Sequence, residues 1–527
     1  MTEPAPAGRR LPVAVVVEGE GGNSLYQAER KVYPRSVQGR FASLRKLAVV
    51  VLLGMYYGFP WLTWAGRQAV LFDLPARKFY VFGLAFWPQD FVFLALLLIM
   101  AGLSLFFFTA VAGRLWCGYA CPQTVWTEVF LWIEHWTEGE RSRRIKLDAG
   151  PWTAEKWRRK GSKHALWLLL ALWTGFTFVG FFTPIRDLGA RLVPFAWSGW
   201  ETFWVLFYSL ATWGNAGVLR EQVCKYMCPY ARFQSAMFDR NTLLIAYDAQ
   251  RGEPRGARKR DVGSVAERGR APLPLETAHA WLKRAALQPS AADRQVAARR
   301  STGELDGLLA DAIALPQKVA PELLGDCVDC TACVQVCPTG IDIRNGLQYE
   351  CIACGACIDA CDEVMDRLDY PRGLVRYTTQ NALDGKPSRV LRPRVLVYGA
   401  LLLLLATGWA IGVTRRAPLL AEVLRDRNAL YRVGAEGQIE NAYLLKLVNK
   451  TDRALGVVVQ LAPGSPAALA DGALRVQIGA EDVASVPLTL VAPAGAVHGR
   501  RELAVLVEGG GEPPLTARVD TTFFAPP

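Results

Sequence analysis

The residues best suited to carry chemistry in this chain are its cysteines. All twelve lie between Cys117 and Cys361, and eight of them fall in one short stretch. Within that stretch a C-x2-C-x2-C-x3-C-P run is followed by the same run without the proline. This spacing is typical of bacterial ferredoxins with two [4Fe–4S] clusters. The first run consists of Cys327, Cys330, Cys333 and Cys337, and the second of Cys351, Cys354, Cys357 and Cys361.

The spacing also predicts how the eight thiolates divide between the clusters. Three thiolates on one tight loop bind three irons of a cubane, and the fourth iron is reached from the other run. Zinc can also be held by four thiolates, but zinc sites usually present two C-x2-C pairs separated by a longer span. Two complete four-thiol runs therefore favour clusters. The predicted ligand sets are Cys327, Cys330, Cys333 and Cys361 for one cluster, and Cys351, Cys354, Cys357 and Cys337 for the other.

The four remaining cysteines form two C-x3-C-P pairs, each placed after an apolar run. One pair is Cys117 with Cys121, and the other is Cys224 with Cys228. Residues i and i+4 of a helix share a face, so each pair can act as a bidentate thiolate. Three uses remain open: a soft metal such as Cu(I), a redox-active dithiol, or four joint ligands of a further metal centre. The alternative without chemistry is that they are buried free thiols that pack as small apolar residues.

Other candidate residues carry weaker signals. The histidines are scattered, and none has ligand spacing to another, so structural or surface roles are expected. A methionine beside one thiol pair could be a thioether ligand or a packing residue, and three acidic residues could relay protons or be boundary charges. No G-x-G-x-x-G, Walker A or C-x-x-C-H motif occurs, so nucleotide and c-type haem are not indicated. These residues are His135, His164, His279 and His498, then Met227, and then Glu128, Glu134 and Asp239.

Five apolar stretches are long enough to predict membrane-spanning helices. Lys and Arg are concentrated before the first and between the second and third, which predicts a cytoplasmic N-terminus and cytoplasmic region 220–393. Both C-x3-C-P pairs then lie at cytoplasmic span ends. The same rule accounts for the net charge of +12 without a nucleic-acid partner. The predicted spans are 44–64, 90–112, 164–183, 200–219 and 394–413.

Composition divides the remainder into segments. Residues 249–321 are rich in Arg, Ala, Gly and Pro and are predicted to be a basic linker, with a possible helix at 276–287. Residues 417–527 alternate apolar and polar positions between turn residues, which predicts a small β-sandwich. The full division is a cytoplasmic N-terminal segment 1–43, a four-helix membrane domain 44–220, a membrane-proximal segment 221–248 with the second thiol pair, the linker 249–321, the ferredoxin domain 322–375, the fifth span 394–413 and the β domain 417–527.

The order of several motifs resembles a known family. "YPRSVQGRF", "WCGYACPQTVWTEVF", "CKYMCPYARFQSAMFD", "RGEPRGARKR", the ferredoxin run, "YPRGLVRYTTQNAL" and "IENAYLLKLVNKT" follow one another as in the cytochrome c oxidase accessory proteins, the CcoG/FixG/RdxA family. The resemblance implies a bacterial inner-membrane protein with five spans, a cytoplasmic α+β ferredoxin domain and a periplasmic immunoglobulin-like domain. The stretch 265–321 departs from the family as an insertion, which leaves open how near the clusters come to the membrane thiols.

The resemblance also implies a function. Such proteins assist maturation of cbb3-type haem–copper oxidases, and the activity attributed to them is reduction of Cu(II) to Cu(I). The eight ferredoxin cysteines are then cluster ligands, copper is the substrate, and Cys117, Cys121, Cys224 and Cys228 match the family's extra thiol motifs. Expected partners are membrane lipid, an unidentified electron donor, and immature oxidase subunits or a copper chaperone or transporter. A quinol-linked subunit of a respiratory reductase and a non-redox assembly scaffold are the alternatives.

Overall fold

The structure is a computed structural model that describes most of the chain. The described residues are 31–194, 196–257, 263–269, 271, 273–278, 280–281, 323–426, 429–434, 437–470, 472–510 and 514–527. Most of the predicted N-terminal segment, most of the 265–321 insertion, and all but a few residues of the predicted helix 276–287 lie outside them.

Three helical segments among the described residues are long and apolar enough to cross a membrane. They are Arg40–Trp61, Pro88–Ala112 and Pro393–Thr414. Their α-helical parts span Arg40–Gly58, Phe91–Ala112 and Pro393–Thr414. Long runs of Leu, Val, Ile and Phe on these helices face outward, as expected for surfaces that contact lipid. The predicted spans 44–64, 90–112 and 394–413 are therefore supported.

The prediction of five spans is wrong, because the segments 164–183 and 200–219 do not form helices of this kind. The helix Ala154–Val179 opens with charged residues up to Lys163 and ends at Val179, before the predicted span ends. The helix Gly199–Thr212 has only 14 residues and passes into a π-helical segment, Trp213–Leu219. The two helices pack closely against each other. Gly175 lies at their contact, where a side chain would collide with Ser209 and Val205.

Short elements connect these helices. The further helices are Leu115–Tyr119, Pro122–Glu138, Arg141–Ala149, Ile185–Ala190, Pro229–Ala236 and Ala249–Gly252, with 3-10 turns at Phe59–Trp61 and Pro88–Asp90 and a π-helical turn at Val223–Met227. Two small antiparallel sheets follow the first apolar helix: Thr63–Trp64 with Arg67–Gln68, and Val70–Asp73 with Lys78–Val81 and Leu84–Phe86.

The cysteine-rich lobe is built from short helices and one strand pair. Its helices are Ala332–Gln335, Ile343–Asn345 (3-10), Ala356–Arg367 and Gln380–Leu383. The strand Leu244–Tyr247 pairs antiparallel with Val375–Thr378. The sequence division places the first of these strands in the membrane-proximal segment. Residues just after it, in the predicted linker, also contact the lobe, since Arg251 Nε donates to Asp326 Oδ2 at 2.6 Å.

The C-terminal region is a two-sheet β-sandwich, as the alternation predicts. One sheet has the order Ala468–Leu469, Val483–Ala492, Ile439–Asn449, Leu419–Arg425, with Arg432–Val433 also on Ile439–Asn449. The other has the order Leu474–Ile478, Leu455–Leu461, Arg500–Gly509, Leu515–Phe524. Neighbouring strands are antiparallel throughout, and their inward Leu, Val and Ile side chains form one core between the sheets.

The two lobes lie at opposite ends of the apolar helices. At one end, the carboxylate of Asp359 in the cysteine-rich lobe accepts from the Ala42 N–H at 2.7 Å and so caps the first apolar helix. At the other end, Lys450 of the β-sandwich donates to Asp90 at 2.6 Å, just before the second apolar helix. Arg416, just after the third apolar helix, also pairs with Asp90 at 3.6 Å.

Candidate metal centres

The first predicted ligand set lines a single cavity of about 360 Å³. Two of its thiols come from the loop before the short helix Ala332–Gln335, Cys333 lies within that helix, and the fourth comes from the helix Ala356–Arg367. Cys330 is exposed, whereas the other three are buried. The structure therefore brings together two parts of the chain that the spacing predicts to share a cluster. The four residues are Cys327, Cys330, Cys333 and Cys361.

The second predicted set lines a neighbouring cavity of about 340 Å³. Cys333 of the first set also borders this cavity, so only a short distance of protein separates the two. The cavity lies on the side of the lobe that faces the apolar helices. Its predicted ligands are Cys351, Cys354, Cys357 and Cys337.

The chemistry of these donors fits iron–sulfur clusters. Burial raises the pKa of Cys351 and of Cys361 to about 12, because a thiolate in an apolar surrounding lacks solvation. A bound cationic iron core would supply the missing positive charge and keep the thiols deprotonated. No three His, Cys, Asp or Glu side chains in the described ranges converge closely enough to hold a single metal ion. The eight thiols instead border two larger spaces.

Two residues beside the first cavity are not indicated by the motifs. Tyr247 lines it, and its buried hydroxyl donates to Glu253 Oε1 at 3.0 Å. Arg344 also lines it and donates to Asp342 Oδ2 at 2.7 Å. Burial would raise the pKa of Asp342, but the hydrogen bonds and charge of Arg344 outweigh it and lower the pKa. Both residues reach the cavity through tertiary contacts, which the cysteine spacing does not reveal.

The two C-x3-C-P pairs adopt nearly the same local structure. Cys121 and Cys228 have extended backbone and directly precede helices that begin at Pro122 and Pro229. The first cysteine of each pair lies in a short helical segment, Leu115–Tyr119 or Val223–Met227, that ends before the second cysteine, so neither pair occupies one continuous helix. In both pairs the N–H of the second cysteine donates to the carbonyl five residues before it, at 2.8 Å.

Folding brings the four membrane-proximal thiols together. Each of the six pairs among Cys117, Cys121, Cys224 and Cys228 is close enough for direct electrostatic interaction. Burial, followed by these neighbouring thiols, raises the pKa of Cys117 and of Cys224 to about 12. The Cys117 thiol also donates to Gln234 Oε1 at 3.3 Å. Two motifs about a hundred residues apart thus meet at one place.

The four thiols adjoin the second ferredoxin cavity. Arg114 is buried and donates to the carbonyls of Cys351 at 2.9 Å and Ala231 at 2.6 Å, and also to that of Tyr349. A Cβ at Gly118 would lie 2.7 Å from the carbonyl oxygen of Ala353, so only glycine permits this approach. The insertion in the sequence therefore does not separate the ferredoxin lobe from the membrane thiols.

A third cavity of about 530 Å³ lies where the first apolar helix, the helix Pro122–Glu138 and the cysteine-rich lobe meet. Cys224 and Cys354 both line it, so it borders each of the two thiol regions. Arg45 and Glu128, which also line it, form an ion pair at 3.3 Å.

The other candidate residues occupy ordinary structural positions. Glu134 is fully buried among cations, Asp239 pairs with Arg392 at 2.6 Å, and His135 pairs with Glu140 at 3.6 Å. His164 packs edge-on against Trp167, and Met227 is exposed. His498 belongs to the β-sandwich region, and His279 lies outside the described residues.

Comparisons with known proteins agree with this architecture. Residues 219–271 and 307–380 match a family model described as a 4Fe-4S dicluster domain, and residues 92–142 match a 4Fe-4S binding domain. Residues 409–526 match the Ig-like fold at the C-terminus of FixG. The chain thus contains iron–sulfur domains and a C-terminal immunoglobulin-like domain.

Curated relatives match over most of the chain. Nitrogen fixation protein FixG of Rhizobium meliloti is 37% identical over 91% of this chain and 89% of its own length. Protein RdxB of Cereibacter sphaeroides is 39% identical over 82% of this chain and 82% of its own length. Protein RdxA of the same organism is 37% identical over 93% of this chain and 96% of its own length. A solved FixG-related protein from Vibrio parahaemolyticus covers 20% of this chain and 95% of its own, at 25% identity and a TM-score of 0.18.

Proposed function

Because the chain belongs to the FixG/RdxA family, we propose that it is a membrane-bound electron-transfer protein that reduces Cu(II) to Cu(I) for the assembly of a cbb3-type cytochrome c oxidase. One observation carries the proposal: the three cysteine sites lie next to one another in the folded protein. The first ferredoxin cavity adjoins the second through Cys333, and the second adjoins the membrane thiols through Arg114 and Gly118.

The residues around these sites support a direction of electron flow. Cys330 is the exposed thiol of the first set, so a soluble donor can approach there. The second cavity adjoins the membrane thiols through Arg114 and Gly118, and these thiols form the exit. The clusters, when bound, supply transfer of single electrons. Reduction of one Cu(II) ion consumes one electron, and thiolates prefer the Cu(I) that is formed.

The location and partners follow from the same proposal. The cysteine-rich lobe is placed in the cytoplasm and the β-sandwich in the periplasm of a bacterium with an inner membrane, in line with the positive charges beside the first span. The reduced copper would pass to immature oxidase subunits or to a copper chaperone or transporter. The β-sandwich contains no cysteine and is assigned to contact with such a partner.

The test is anaerobic reduction of Cu(II) by the full-length protein. The protein is reduced with dithionite, freed of excess reductant and mixed with Cu(II) and a Cu(I)-specific chelator. We expect rapid formation of Cu(I) by the native protein and at least a tenfold slower rate for Cys330→Ser and Cys354→Ser. Leu347→Ser, at an exposed position of the same lobe, is the matched control and should retain the native rate.

Two outcomes would contradict the proposal. If the native protein reduces Cu(II) no faster than both ligand variants, the clusters do not supply the electrons. If cells that carry the ligand variants still assemble active oxidase, the protein acts as a scaffold.

A further inference from the structure

We propose that the buried guanidinium of Arg114 raises the reduction potential of the second ferredoxin cluster above that of the first. Arg114 precedes the first C-x3-C-P motif and contacts the loop of the second ferredoxin set. The effect on the potential does not depend on copper. Its use, to direct electrons toward the membrane, rests on the proposed function.

Arg114 is a buried cation without a matching anion. It is 3% exposed, and its guanidinium donates to the carbonyl of Cys351 at 2.9 Å. Its other acceptors are the carbonyls of Tyr349 and Ala231. Among the described residues it forms no ion pair with a carboxylate, and its Nε has no hydrogen-bond partner. Because a buried charge is costly unless it is paired, this guanidinium indicates an anion at the neighbouring site.

A cluster bound by the second set would provide that anion. Four thiolates outweigh the positive charge of a [4Fe–4S]2+ core, and reduction by one electron makes the group more negative still. A fixed cation nearby therefore stabilises the reduced form more than the oxidised form, which raises the reduction potential. The contact is close, since the carbonyl that Arg114 binds belongs to Cys351, a predicted ligand of this set.

The other guanidinium beside the second set is already neutralised. Arg45 lines a cavity together with Cys354, and it pairs with Glu128 at 3.3 Å. This ion pair adds no net charge near the second set. Arg114 therefore leaves an excess of positive charge there.

The first ferredoxin set has the opposite balance of charge. Arg344 lines its cavity, but this guanidinium pairs with Asp342 at 2.7 Å and also with the more exposed Asp329. Asp362 directly follows Cys361 and is close enough to act on its thiol. Carboxylates thus outnumber the guanidinium beside this set, which lowers the potential of a cluster bound there.

This order of potentials favours electron transfer from the first set to the second. One electron leaves the reduced cluster of the first set, which is oxidised, and enters the oxidised cluster of the second set, which is reduced. No bond forms or breaks, and no proton is transferred. Since Cys330 of the first set is exposed and Arg114 adjoins the membrane motif, electrons move from the surface toward the membrane.

The test is a redox titration of the anaerobically purified full-length protein without copper, followed by electron paramagnetic resonance. The signal that changes in Cys330→Ser belongs to the first cluster, and the signal that changes in Cys354→Ser belongs to the second. In the native protein the second cluster should be reduced at the higher potential. An equal or reversed order would overturn the inference, whereas the proposed copper reduction is judged separately by the rate of Cu(I) formation.

Variants of Arg114 test the cause of the difference. Arg114→Gln keeps a hydrogen-bond donor but removes the charge, so the reduction equilibrium of the second cluster should fall at least tenfold, which is about 59 mV for one electron. Arg114→Lys keeps the charge and should retain most of the native potential. The potential of the first cluster should stay unchanged in both variants.

Arg232→Gln is the matched control, because it removes an exposed arginine next to Ala231 and should leave both potentials at their native values. The inference fails if Arg114→Gln leaves the second potential unchanged, or if Arg232→Gln lowers it equally. Should Arg114→Gln fail to bind iron, the order of the two potentials in the native protein still decides.

Discussion

At the residue scale, a buried network of ion pairs centred on Glu134 reaches, through Arg220, the third cavity that Cys224 also lines. Glu134 is fully buried and pairs with Arg220 at 2.7 Å, Arg144 at 3.3 Å and Lys163 at 3.8 Å. Burial would raise the pKa of Glu134, but the three cations outweigh it and keep the carboxylate ionised. Arg220 lies four residues before Cys224, so the network also fixes the turn that presents this thiol.

Replacement of this carboxylate tests the network. Glu134→Ala leaves three buried cations without their anion, and loss of one partner of a buried ion pair costs about 3–5 kcal/mol. We expect a clear fall in the thermal unfolding midpoint in detergent. Glu155→Ala removes an exposed carboxylate that pairs with Arg159, so its midpoint should stay unchanged. Equal midpoints for the two variants would contradict this account.

At the element scale, close helix contacts decide how the thiol motifs are positioned. The helix Ala154–Val179 packs against the helix Gly199–Thr212, and it also packs against the helix Pro122–Glu138 that follows Cys121. The first contact depends on Gly175. A Cβ there would collide with Ser209 Oγ and the Val205 carbonyl oxygen and would lie 3.0 Å from Ser209 N.

A pair of glycine substitutions in the same helix tests this contact. Gly175→Ala forces the two helices apart, and overpacking of this kind costs about 1–3 kcal/mol. Gly161→Ala adds a methyl group where nothing lies within 4 Å, and alanine stabilises a helix by roughly 0.5–1 kcal/mol relative to glycine. The measurement is the thermal midpoint of each variant. Opposite shifts are expected, and a neutral Gly175→Ala would show that the helices tolerate separation.

At the scale of the whole molecule, the three apolar helices place two folded lobes far apart. Asp359 holds the cysteine-rich lobe at the start of the first helix, and Lys450 holds the β-sandwich at the start of the second. Successive helices run in opposite directions between the same two ends. If they span a membrane, the lobes must lie on opposite sides of it.

Protease protection in sealed vesicles tests this arrangement. Antibodies against each lobe follow cleavage from the outside of inverted and of right-side-out vesicles. We expect the cysteine-rich lobe to be cleaved only in inverted vesicles and the β-sandwich only in right-side-out ones. Vesicles opened with detergent serve as the control, in which both lobes should be cleaved. Cleavage of both lobes from the same side of sealed vesicles would refute the topology.

The sequence by itself determined much of the local organisation. The cysteine spacing predicts which thiols share each ferredoxin cavity, since a cubane constrains its ligands through short loops. Apolar length predicts the three helices that qualify as spans. Period-two alternation predicts the β-sandwich, which forms with two antiparallel sheets.

Only the tertiary structure decided how these parts meet. The spans predicted at 164–183 and 200–219 fail because apolar content alone does not show that the first helix ends at Val179 and that the second passes into a π-helical segment after Thr212. The strand Leu244–Tyr247 joins a lobe whose cysteines lie far along the chain. Likewise, Arg114 and Gly118 contact the ferredoxin lobe only after folding. Local spacing encodes ligands within a loop, whereas contacts between distant segments depend on packing that no single stretch of sequence specifies.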